Sequence, residues 1–133
     1  MGISYSGVVL DSDSQALIDN AFPHITMTHG HHMTITMGPL KHKKGKFDLT
    51  PLYPVGEDMI LKIVATRQNT GGQVFCLVVE LPEGYSTRNK FPHITYHIGE
   101  GFKAKHSNDL GKEWERKLSY PIYVRGIVTE VPH

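Results

Sequence analysis

Phe91-Pro92-His93-Ile94-Thr95-Tyr96-His97-Ile98-Gly99 is the stretch on which the fold turns, because its pattern recurs in the chain. It can be laid on His31-His32-Met33-Thr34-Ile35-Thr36-Met37-Gly38. In both, a histidine is followed two residues later by threonine and six residues later by glycine. Both read as short strands, rich in β-branched residues and stopped by that glycine. A third copy, Phe22-Pro23-His24-Ile25-Thr26, is identical to residues 91–95 over its length. Repetition of one strand within a short chain predicts an internally repeated, sheet-based fold.

Around these strands the other elements fall into place. Residues 4–10 read as a strand stopped by Asp11-Ser12-Asp13-Ser14, a cluster that supplies helix N-caps. Ala16, Leu17, Ile18, Ala21 and Phe22 mark a helix of about ten residues ending before Pro23. Residues 41–56 are loop in character. Residues 59–66 and 73–81 predict a hairpin around Asn69-Thr70-Gly71-Gly72. Residues 109–118 are a helix candidate with Trp114 as a core anchor, and residues 122–131 alternate as a last strand. The sum, about six strands and two helices, is an α+β domain with mainly antiparallel pairing, spanning residues 1–133 as a single unit.

The composition narrows the function. With 39% hydrophobic and 20% charged residues a packed core is within reach. The net charge of +1, from 14 basic and 13 acidic side chains, argues against non-specific binding to long nucleic acid, which needs a basic face. It leaves room for a small nucleotide or a single RNA end. The one cysteine, Cys76, sits in the apolar run Val74-Phe75-Cys76-Leu77-Val78-Val79 and is expected to be buried and inert. No stretch approaches ~18 apolar residues and the start lacks a signal peptide's features, so the expected setting is cytoplasmic, with no membrane contact. Nine histidines are many for a structural protein, since the free imidazole side chain titrates near neutrality.

The histidines point to a specific chemistry. Residues i and i+2 of a strand share a face, so His-x-Thr sets an imidazole beside a hydroxyl. Two such strands bring two imidazoles and two hydroxyls to one pocket. Phosphodiester cleavage uses that set: one histidine takes a proton from the attacking oxygen and the other gives one to the leaving oxygen. The threonines donate hydrogen bonds to oxygens on which charge builds. The expected catalytic residues are therefore His32, Thr34, His93 and Thr95, with no metal and no cofactor. His24 competes with His32, but it follows the helix and Pro23 almost at once, and residues 33–37 have the stronger strand composition. Tyr96 and His97, beside the second motif, and Lys43 and Lys44, in the basic loop after the first, are candidates for binding substrate.

At His32-Met33-Thr34-Ile35 and His93-Ile94-Thr95-Tyr96 the chain resembles the two-histidine phosphoesterase superfamily, whose signature is a pair of His-x-Thr/Ser-x motifs. His31-His32-Met33-Thr34 and the short length are similar to its RNA-repair-associated, Swiss Army Knife RNA repair-like branch. The resemblance implies a two-lobed, pseudo-twofold fold with the site in a central cleft. It also implies metal-independent action on 2′,3′-cyclic phosphates, 2′–5′ linked RNA ends or small nucleotides, by a monomer that works alone or beside an RNA ligase or end-healing partner. Two other readings compete: a module that binds RNA ends or nucleotides without cutting them, and a metal-dependent hydrolase built on His24, His29, His31 and His32.

Overall fold

The computed structural model describes residues 2–133, all but Met1. The elements are β1 (Ile3–Leu10), α1 (Ser12–Ala21), β2 (His32–Met37), β3 (Asp58–Gln68), β4 (Val74–Glu80), β5 (His93–Ile98), a 3-10 helix η1 (Ala104–Asp109) and β6 (Arg116–Pro132). All six strands pair antiparallel and close into one barrel in the order β1-β2-β5-β4-β3-β6. The α+β class and the antiparallel pairing expected from the sequence are both present. Among the described residues no helix is long and apolar enough to cross a membrane.

Alternation along each strand fills the barrel. Val8 and Leu10, Met33 and Ile35, Leu61 and Ile63, Leu77 and Val79, Ile94, and Val124 and Val128 point inward, each at most 3% exposed. Helix α1 begins where Asp11 accepts a hydrogen bond from the Ser14 N–H, and it presses Ile18 onto this core. The long connection between β2 and β3 adds Leu40 and Tyr53, both fully buried, and the Tyr53 hydroxyl donates to the Ser86 carbonyl at 2.9 Å. Cys76 points the other way, outward, where Val74 and Leu110 cover it. Burial pushes its thiol pKa up to about 12, so it stays protonated and inert, as expected.

The helix expected over residues 109–118 does not form. The chain there makes η1 earlier, and residues 116–118 belong to β6, with Arg116 and Lys117 paired to Thr66 and Ala65 of β3. An open strand edge outweighed the helical spacing of Leu110, Trp114 and Leu118, which Gly111 already weakens. Trp114 is consequently not a core anchor: it is 49% exposed on the connection leading into β6. Strand β6 also runs through Pro121, where its register against β3 jumps from Ile122 to Lys117. Proline has no N–H to offer the ladder, so the irregularity falls there.

Candidate active site

The two motif strands are neighbours. β2 and β5 meet with Met33 opposite Ile94, both inside the barrel and fully buried. In an antiparallel pair the flanking residues then face each other on the opposite surface. His32 lies across from Thr95, and Thr34 across from His93, all four on the outer face of the seam. The bore of the barrel is filled, so the motifs line its outside. On β1, Gly7 stands opposite Thr34, where a Cβ would come within 2.7 Å of the Met33 carbonyl oxygen. Only glycine fits that approach.

Each imidazole has its own environment. His93 is 6% exposed, and its Nδ1 is 2.9 Å from the Phe91 carbonyl oxygen. A carbonyl only accepts, so Nδ1 carries the hydrogen and Nε2 of the neutral ring keeps a lone pair. His32 is half-buried and stacks on Tyr5, ring centres 4.5 Å apart, with the Tyr5 hydroxyl 3.4 Å from its Nδ1. Burial, then the nearby His31, His29 and His93, pushes the His32 pKa down to about 4. Burial also lowers that of His93, opposed by its bond to Phe91 and reinforced by the charge of Arg67. Both rings are neutral at pH 7.

Sequence reasoning did not reach the residues that roof the site. The Thr95 hydroxyl donates to Ser107 Oγ at 3.0 Å, and Ser107, in η1, is fully buried. Asn89 donates through Nδ2 to the Thr34 carbonyl at 3.1 Å and accepts from Asn108 Nδ2 at 3.3 Å. These contacts tie η1 and the β4–β5 connection across both motif strands. No spacing rule signals them, because they come from separate loops. On the other side Gly30, at φ +92°, turns the chain so that its N–H donates to the Thr95 carbonyl at 2.7 Å. This sets His29 and His31 beside the seam.

The remaining candidates divide. Tyr96 does not line the seam: it points into the barrel, fully buried against Phe22 and Phe75, and its hydroxyl donates to Asp19 at 3.2 Å. Strand parity puts it on the face opposite His93 and Thr95. His97 is half-buried, its Nδ1 donating to the Thr26 carbonyl at 2.8 Å. Lys43 and Lys44 are exposed beyond the Thr34 end of β2, where with His42, Lys46, Met37 and Pro39 they line a cavity of about 370 Å³. His24 is exposed on a turn after α1 rather than on a strand. Within the histidine cluster, His29 bonds to Thr28 and His31 to Gln15. Among the described residues no three His, Cys, Asp or Glu side chains are grouped to hold one ion. Of the protein families and curated proteins compared with the chain, none matches it.

Proposed function

We propose that the chain is a metal-independent phosphodiesterase acting on 2′,3′-cyclic phosphates, 2′–5′ linked RNA ends or small nucleotides. The observation that carries this reading is the register Met33 to Ile94, which sets His32 against Thr95 and Thr34 against His93 on one face. His93 suits the proton acceptor, because its Nδ1 is occupied and its Nε2 lone pair is free. His32 is then the donor to the leaving oxygen, its proton affinity raised once a phosphate anion lies beside it. Thr34 and Thr95 supply hydroxyls to the non-bridging oxygens, with Thr95 exchanging Ser107 for phosphate. Lys43 and Lys44 would meet the next phosphate of an RNA end.

The strand order agrees with the pseudo-twofold architecture of the two-histidine phosphoesterases. Exchanging β2 with β5, β1 with β4 and β6 with β3 maps the barrel order onto itself. On this reading the two lobes would be β6-β1-β2 and β3-β4-β5, with one motif at the joining edge of each. A second reading, a module that holds RNA ends without cutting them, is favoured by the burial of both imidazoles, which lowers their proton affinity and disfavours a charged proton donor at the seam. Incubation with 2′,3′-cyclic mononucleotides, with and without EDTA, tests all of this. Turnover that survives EDTA is expected. Binding without turnover selects the second reading, and loss on chelation restored by zinc or manganese selects metal chemistry.

A further inference from the structure

His93 is backed by a stack that begins two strands away. Arg67 of β3 lies opposite Cys76 of β4, which lies opposite Thr95 of β5, so one row crosses the outer face from Arg67 to the second motif. The Arg67 guanidinium carbon is 4.2 Å from the centre of the Phe91 ring. The Phe91 ring centre is in turn 4.7 Å from that of His93, while the Phe91 carbonyl takes the His93 Nδ1–H. Arg67 is fixed by two further bonds, Nε to Glu115 at 2.9 Å and Nη1 to the Leu110 carbonyl at 3.2 Å. The Arg67 and Glu115 side chains are only 11% and 17% exposed. A planar fork that also stacks on an aromatic ring can satisfy all three contacts, which a lysine ammonium cannot.

We infer that Arg67 and Glu115 are positioning residues for the site: by clamping Phe91 they hold His93 with Nδ1 protonated and Nε2 turned to accept a proton. The inference rests on the phosphodiesterase reading for its catalytic consequence, and on the stack alone for its effect on the ring. Neither residue belongs to a motif, and their packing reaches His93 through Phe91, beside the direct effect of the Arg67 charge on the ring. The titratable groups facing this corner are Arg67 and Glu115, His32 across the seam, and the Cys76 thiol, which stays protonated.

The test uses the full chain with Arg67→Met and Glu115→Gln together, so that no buried charge is left unpaired, and Phe91→Leu, which keeps the carbonyl and removes the ring. Imidazole 15N NMR reads the tautomer and titration of His93, and turnover of 2′,3′-cyclic AMP reads kcat and KM. In both variants His93 is expected to lose its single Nδ1–H tautomer, and kcat to fall by about 10- to 10²-fold with KM little changed. In the double variant His93 also titrates at higher pH, and Arg67→Lys does not restore kcat. An unchanged His93 tautomer and unchanged kcat in folded protein overturn the inference. Should the double variant not fold, Phe91→Leu decides it alone. Absence of turnover in the wild type refutes the phosphodiesterase reading, and the 15N signals still judge the clamp.

Discussion

His32 couples the stability of the fold to pH. Its pKa moves from an ordinary 6.5 in the unfolded chain to about 4 in the folded one, mainly through burial. Between those values the unfolded chain binds more protons, so stability rises with pH. The contribution is fully present above pH 6.5 and is lost as the pH falls toward 4. At pH 5 the ratio (1 + 10^(6.5−pH))/(1 + 10^(4−pH)) is about 30, which corresponds to about 2 kcal/mol lost relative to pH 7.5. His32→Gln keeps a polar side chain of similar reach and removes the titration. Urea unfolding of both proteins at pH 7.5 and pH 5.0 gives four free energies, and carboxylate effects common to both proteins cancel in the difference. The wild type should lose about 2 kcal/mol more than the variant over that interval. Equal losses would refute the reasoning, because the ring would then be as well hydrated in the folded state as in the unfolded one.

The other predictions concern activity. His32→Ala or His93→Ala should lower the rate of cyclic-nucleotide hydrolysis by about 10²–10⁴-fold, and the double variant should be only slightly worse than either. Thr34→Val and Thr95→Val should each cost about 10²–10³-fold in kcat, while His24→Ala stays within a few-fold. The kcat/KM profile should be bell-shaped and centred below neutrality, because burial lowers His32 to about 4 and also lowers His93; a maximum at pH 8 would contradict that environment. Lys43→Ala with Lys44→Ala should raise KM for an oligonucleotide end and flatten its salt dependence while leaving a mononucleotide unaffected, which paired steady-state assays at two salt concentrations would check.

Period-two alternation and glycine stops marked the motif strands and the hairpin, and N-caps with helical spacing marked α1, because each is decided by residues close in sequence. The same local rule placed His32 beside Thr34 and His93 beside Thr95, since i and i+2 share a face in any strand. It also carried the information that Tyr96 faces the other way, one position out of phase with His93 and Thr95. Local spacing misled at residues 109–118, where a helical pattern met an unfilled edge on β3 and the longer-range pairing prevailed. What only the tertiary structure decided is the closure of the barrel and the register that sets Met33 against Ile94. These join strands about sixty residues apart through hydrogen bonds that no sequence spacing encodes. The same closure filled the bore with Met33, Ile35 and Ile94, turning both motifs to the outer face under Ser107, Asn89 and the Arg67–Phe91 stack. A site of this kind is written as two short motifs, but its burial and its proton affinities come from loops that reach it only after the chain has folded.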